Sequence, residues 1–270
     1  MLAAAVQMTS TSDAAANLAQ AEDLIRLAAG RGAKLIVTPE NTNYLGPHGD
    51  KVRLAEPLDG PTVGRFARLA RELGVYVVVG SVNERSADPK RCYNTSVMLG
   101  PDGALLAAYR KIHLFDVDVS DEVRFRESDT IVPGDDLFVV DTAVGQVGMS
   151  ICYDLRFPEL YRALVDRGAE VLLVPSAFTL MTGKDHWETL LRARAIEGQA
   201  WVIAAGQVGR HDDGGLRHSW GHSMIIDPWG AVVAMASDGP GIAVADIDLA
   251  RVASVRRAIP VASHRRLRGA

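Results

Sequence analysis

The chain has 270 residues, 48% of them hydrophobic, and a formal net charge of −4. That is enough apolar side chain for one large α/β core, and the acidic balance argues against nucleic acid or an anionic membrane surface as a partner. The two cysteines, Cys92 and Cys152, are too few for a disulfide framework and read as free thiols of a reducing compartment.

The opening stretch MLAAAVQMTSTSD lacks the basic flank and long apolar run of a signal peptide or a membrane span. Leu2 to Met8 is therefore expected as a first buried strand of a cytoplasmic protein. A helix from about Asp13 follows, with Leu18, Ala21, Ile25 and Ala28 on one face and Gly30 and Gly32 as stop signals. Lys34 to Thr38 is a short apolar strand. Pro61-Thr62 opens a second helix whose Val63, Phe66, Ala67, Ala70 and Leu73 share a face, and Gly74 closes it before the strand VYVVVG. SVMLGPDGALLAAY is a hairpin signal, two apolar runs joined by a Gly-Pro-Asp-Gly turn.

After about Leu137 the order begins again. RGAKLIVTPE at 31–40 matches RGAEVLLVPS at 167–176 in character, and SVMLGPDGALLA at 96–107 matches SMIIDPWGAVVA at 223–234. An internal duplication follows, each half laying helices on one face of its own sheet, with the two sheets packed through their apolar faces. The expected fold is α/β, a four-layer αββα sandwich. No linker or charge run divides the halves, so residues 1–270 are read as a single domain. The repeat differs at one telling place: Pro39-Glu40 in the first copy faces Pro175-Ser176 in the second. Strand ends are where α/β sheets gather binding groups, and Cys152 ends the strand before VLLVPS.

TPE at 38–40, YRKIHLFD at 109–116, FRES at 125–128 and GMSICYDLRFPEL at 148–160 resemble, in that order, the catalytic segments of the nitrilase (carbon-nitrogen hydrolase) superfamily. The resemblance continues through GKDHWETLLRARAIE and WGHSMIIDPWG, nearly the whole chain. It implies a Glu-Lys-Cys set at Glu40, Lys111 and Cys152 with a second carboxylate at Glu127, and a homo-oligomer, dimer or higher. It also implies an amidase acting on a small linear amide. RARAIEGQAWVIAAGQVGRH resembles the branch that hydrolyses deaminated glutathione to 2-oxoglutarate and cysteinylglycine. The omega-amidases, acting on 2-oxoglutaramate, or another aliphatic amidase or nitrilase, are the alternative, and NTNYLGPHGD after Glu40 departs from the first branch.

These roles make physical sense. A thiol with a pKa of roughly 8.5 is mostly protonated at neutral pH and needs a base or a cationic neighbour. Glu40 would be that base. A cluster of two carboxylates, a thiol and an ammonium shielded from water would raise one carboxylate enough to exchange protons near neutrality. Lys111 and a backbone N–H beside Cys152, that of Tyr153, would receive the developing oxyanion. Glu127 would orient Lys111 or the substrate amide. Asp154, Arg156, Ser176 and Phe178 are candidate substrate contacts, Asp154 and Arg156 alternatively pairing to brace the cysteine turn.

Other chemistries have candidates too. A Cys-His pair could draw on His113, His186 or His222. His211, His218, His222 and two aspartates in GRHDDGGLRHSWGH could suggest a metal, but the uneven, Gly-rich spacing reads as a mobile loop. An activated thiol needs no Lewis acid, so no metal and no cofactor is expected. Arg192 and Arg194 on an amphipathic helix could grip a carboxylate or tie down helix ends. The basic RRAIPVASHRRLRGA stretch reads as a solvated tail or subunit contact. Glu127 has acidic neighbours, Asp121, Glu122 and Asp129, that belong to an ordinary exposed loop. A non-catalytic binding module stands as the different-class alternative, opposed by the chemically competent residues at all four positions.

Overall fold

The computed structural model describes residues 1–118, 124–214 and 217–267. The first half runs β1 (Leu2–Gln7), α1 (Ala14–Gly30), β2 (Leu35–Val37), α2 (His48–Arg53), α3 (Pro61–Leu73), β3 (Tyr76–Arg85), β4 (Cys92–Leu99) and β5 (Leu105–Arg110). A short antiparallel ribbon follows, β6 (Asp116–Asp118) with β7 (Arg124–Arg126). The second half runs β8 (Val139–Thr142), β9 (Gly145–Gly148), α4 (Pro158–Asp166), β10 (Val171–Leu173), α5 (Leu180–Gly198) and β11 (Trp201–Ala204). A second ribbon, β12 (Val208–Arg210) with β13 (His218–Trp220), precedes β14 (Met224–Ile226) and β15 (Val232–Met235). The last elements are β16 (Gly241–Asp246), α6 (Leu249–Ala258) and α7 (Val261–His264).

The helices begin and end where residue chemistry requires. The Asp13 carboxylate accepts from the Ala16 N–H at 3.0 Å and caps α1. Pro61 and Pro158 open α3 and α4, and Gly74 ends α3 in the left-handed region at φ +63°.

The duplication is visible in the sheets. Their strand orders, β16-β1-β2-β3-β4-β5 and β8-β9-β10-β11-β14-β15, superpose position by position. In both, the central pairs are parallel and the outer pairs antiparallel. Even the hairpin irregularities repeat, at Met98/Leu99 and at Ile225/Ile226. The edge strand of the first sheet, however, is β16, supplied from beyond the second half.

Side-chain alternation along each strand sorts the core into layers. Ala3, Ala5, Leu35, Val37 and Val78 pack in one cluster with Val147, Val171, Leu173 and Ile203 of the second sheet. Their neighbours Ala4, Val6, Ile36, Val77 and Val79 face Ile25, Ala28, Phe66 and Ala70 of α1 and α3. Leu160, Leu164, Trp187, Leu191 and Ala195 of α4 and α5 cover the far side of the second sheet. The result is the expected helix–sheet–sheet–helix sandwich.

Two expectations change. The 211–219 stretch is tied down as part of the second ribbon: Arg210 pairs with His218, and the His211 N–H donates to Arg217 O at 3.1 Å; residues 215 and 216 lie outside the described residues. The basic C-terminal stretch is no solvated tail: Arg256 donates to Ala169 O at 2.7 Å and Arg265 pairs with Asp166 at 2.8 Å; residues 268–270 lie outside the described residues. Among the described residues no helix is long and apolar enough to cross a membrane.

Candidate active site

The ends of β2 and β10 meet across the sheet interface. A Cβ at Gly80 would lie 1.9 Å from Thr38 O and 2.5 Å from Pro175 Cβ, so only glycine lets β3 pass this close. Just beyond, Glu40 and Ala177 touch: the Ala177 N–H donates to Glu40 Oε2 at 2.8 Å. Gln207, after β11, donates to the Glu40 carbonyl at 2.9 Å. The second half of the chain thus holds the carboxylate that the first half carries.

Lys111 follows the last residue of β5 and is 2% exposed. Its Nζ donates to Glu40 Oε1 at 2.9 Å and to Glu127 Oε2 at 2.8 Å. Glu127 opens a 3₁₀ turn after β7, where its Oε2 also accepts the Phe115 N–H at 2.7 Å. The Asn94 amide completes the cluster, reaching Glu40 at 2.9 Å and Glu127 at 3.2 Å. Burial alone would raise the Glu127 carboxyl, but the Lys111 and Lys51 ammoniums overcome it and bring the group down to about 2. Burial likewise opposes charge on Lys111, and Glu127, Glu40 and Cys152 reverse that, holding it well above the ordinary lysine value. The raised carboxylate expected in this cluster is therefore not Glu127.

Cys152 starts a 3₁₀ turn, residues 152–156, with φ +49°, an uncommon conformation for a side-chain-bearing residue. Its N–H donates to Pro175 O at 2.9 Å, which anchors it to the end of β10. Burial, then the Glu40 charge, push the thiol well above the ordinary cysteine range, Lys111 opposing. The Tyr153 N–H sits in the first turn, where amides have no intrahelical acceptor. Cys92 is also buried, and desolvation raises it to about 11.

Cys152, Glu40, Lys111, Glu127 and Tyr153 all line one cleft, together with Arg156 and Phe178. Asp154 and Ser176 do not. Asp154 is fully buried, accepting from the Tyr109 hydroxyl at 2.6 Å, the Ile151 N–H at 2.9 Å and the His113 N–H at 3.0 Å. It braces the cysteine turn, with His113 and Tyr109 as partners in place of Arg156. Ser176 is fully buried too, its hydroxyl facing Val174 O at 3.4 Å. Both are corrected from substrate contacts to supports.

None of the Cys-His candidates lines the cleft. His113 Nδ1 lies 2.7 Å from Asp154 Oδ1, with its ring stacked on Phe157; His186 lies 3.3 Å from Arg156, and His222 stacks on Trp220. His211 uses both ring nitrogens, on Ser10 O at 2.7 Å and Ser219 Oγ at 2.8 Å. Arg194 donates to Leu155 O at 2.8 Å and Arg192 to Gly230 O at 2.8 Å, so both tie segments together. Of the acids near Glu127, Asp129 is exposed while Glu127 is buried, and Asp121 and Glu122 lie outside the described residues. Sequence reading missed Asn94, Lys51 and Arg217. The signal for Asn94 was the polar run Asn-Thr-Ser inside an otherwise apolar strand; Lys51 and Arg217 sit among ordinary surface-like charges.

Residues 2–257 match the family described as carbon-nitrogen hydrolase. The deaminated glutathione amidase of Homo sapiens is 45% identical over 270 residues, covering 98% of this chain and 82% of that protein. The Homo sapiens omega-amidase NIT2 is 41% identical, covering 97% and 94%. The crystal structure of the C. elegans NitFhit protein superposes with a TM-score of 0.92 at 41% identity, covering 98% of this chain, which spans 65% of that longer protein. With sequence, fold and cleft in agreement from end to end, the chain belongs to the carbon-nitrogen hydrolase family and is an amidase.

Proposed function

We propose that this amidase hydrolyses deaminated glutathione through a cysteine thioester, with Glu40, Lys111, Cys152 and Glu127 as its working groups. The observation that carries the reading is the Lys111 ammonium, held at 2.9 and 2.8 Å between two buried carboxylates beside the only thiol in the cleft. The 45% identity to deaminated glutathione amidases supports the choice of substrate. So does Arg156, a cleft residue that, among the described residues, has no carboxylate in salt-bridge range. Its guanidinium suits the 2-oxo carboxylate of the acyl group. Phe178 packs against it, ring centroid 5.2 Å from the guanidinium carbon.

The resting thiol is protonated, so attack and proton transfer go together. Glu40 takes the Sγ proton as sulfur adds to the amide carbon, and the carbonyl oxygen becomes an oxyanion facing Lys111 Nζ and the Tyr153 N–H. Glu40 returns the proton to the amide nitrogen, the C–N bond breaks, and cysteinylglycine leaves a thioester behind. Glu40 then takes a proton from water as its oxygen adds to the thioester carbon. The C–S bond breaks, the proton returns to sulfur, and 2-oxoglutarate departs. Glu127 keeps Lys111 charged and aimed throughout. The small amide and water are the only reactants this chemistry requires.

The same reading has a cytoplasmic homo-oligomer, for which exposed Ile196, Trp229, Val233 and Met235 offer an apolar surface to cover. Wild type and Cys152→Ala, assayed with deaminated glutathione, 2-oxoglutaramate and a simple aliphatic amide, test the activity. Turnover of the first by wild type and none by the variant is expected. Preference for 2-oxoglutaramate would assign the omega-amidase activity, and equal activity of the variant would refute the thiol mechanism.

A further inference from the structure

The chemistry above makes no use of Lys51. This residue of α2 is 2% exposed, yet it lines the same cleft as Cys152. Among the described residues its ammonium has no hydrogen-bond or ion-pair partner. A buried ammonium without an anion is costly, and the cost is relieved when an anion arrives. Burial and the Arg217 guanidinium push Lys51 down to about 8, against the opposing pull of Glu127, Glu40 and Cys92. The carboxylates that pull on it are already committed to Lys111 and Asn94.

An aromatic row forms one wall of the cleft. Phe125, Phe115 and Tyr153 form a row with ring centroids 5.2 and 5.1 Å apart. A guanidinium stands at each end: Arg217 lies 5.6 Å from the Phe125 ring and Arg156 lies 5.9 Å from the Tyr153 ring. The middle of the row belongs to the reaction centre, since the Phe115 N–H donates to Glu127 and Tyr153 follows Cys152. Lys51 lines the same cleft as both guanidiniums, and Arg217 is itself paired with Asp213 at 3.8 Å. Lys51 is thus a cation of the cleft distinct from Lys111 and Arg156.

We propose that Lys51 forms a second anion subsite, which holds the substrate carboxylate that Arg156 does not take, the one on the leaving-group side of the scissile amide. The inference rests on the reading of the cleft as an amidase site with Arg156 at the acyl end, and it deepens that reading. An amide with a carboxylate on each side of the broken bond uses both cations, Arg156 and Lys51. The leaving group of deaminated glutathione ends in such a carboxylate, whereas 2-oxoglutaramate releases only ammonia. Lys51 is thus a specificity-determining residue for the longer substrate.

The test is a two-by-two comparison of kcat/KM. Wild type and Lys51→Met are each assayed with deaminated glutathione and with its counterpart in which the terminal carboxylate is a carboxamide. Wild type is expected to favour the carboxylate by at least about tenfold, chiefly through KM, and Lys51→Met to lose most of that preference. Equal kcat/KM for the two substrates with wild type overturns the subsite without recourse to any variant. Full retention of the preference in Lys51→Met overturns the role of Lys51 while the proposed activity stands. Turnover of 2-oxoglutaramate but of neither longer amide overturns the substrate reading, and the subsite with it.

Discussion

Glu127 and Cys152 flank the same ammonium and are displaced in opposite directions: burial raises both, but the Lys111 and Lys51 charges overcome it at Glu127, whereas at Cys152 the Glu40 charge adds to burial. The depressed Glu127 carboxyl has a consequence for acid stability. A group whose folded pKa lies below its unfolded value binds its proton more readily in the unfolded chain. Its stabilising contribution is complete above the ordinary carboxylate range and is lost as pH falls toward about 2. Glu127→Gln removes this dependence. Urea unfolding of wild type and Glu127→Gln between neutral pH and pH ~3 should show wild type losing more stability through the acid window; parallel curves would contradict the assignment. Removing the charge also leaves Lys111 with a single carboxylate, so kcat should fall by at least about tenfold.

At the scale of an element, the 3₁₀ turn 152–156 is held from three directions. Asp154 gathers donors from Tyr109 of β5, from His113 and from Ile151, while Arg194 of α5 grips the Leu155 carbonyl. This bracing keeps Cys152 at positive φ under the end of β10. Asp154→Ala would strand buried donors and should cost about 3 kcal/mol, measured by denaturant unfolding. Since Asp154 does not line the cleft, the accompanying kinetic change is expected in kcat, with KM little altered. A rise in KM with kcat intact would instead return Asp154 to the substrate.

For the whole molecule, the decisive feature is that β16, from residues 241–246, completes the sheet begun by β1. A chain ending at residue 240 would leave β1 as an open edge whose Ala3 and Ala5 still face the second sheet. Such a truncation is expected to aggregate or to lose cooperative unfolding, as read by size-exclusion chromatography and thermal denaturation. A monodisperse, cooperatively melting product would show that the halves are more independent than the shared core implies.

Much of this protein was determined by the sequence alone. Alternating and helical periods, proline openings and glycine stops place the elements, because these are local effects of backbone sterics and side-chain direction. The repeated stretches placed β2 opposite β10 and one hairpin opposite the other, and the break in the repeat at Glu40 marked a position under a different demand. What only the tertiary structure decided are relations between distant segments. Ala177 and Gln207 hold Glu40, Asn94 joins the two carboxylates, and Asp154 faces inward while Arg156, two residues on, faces the cleft. Lys51 looks in sequence like any solvated charge of a polar segment. Its burial, and the lack of a counter-ion among the described residues, arise only when α2 folds over the cleft, because desolvation and charge pairing depend on neighbours that chain order does not specify.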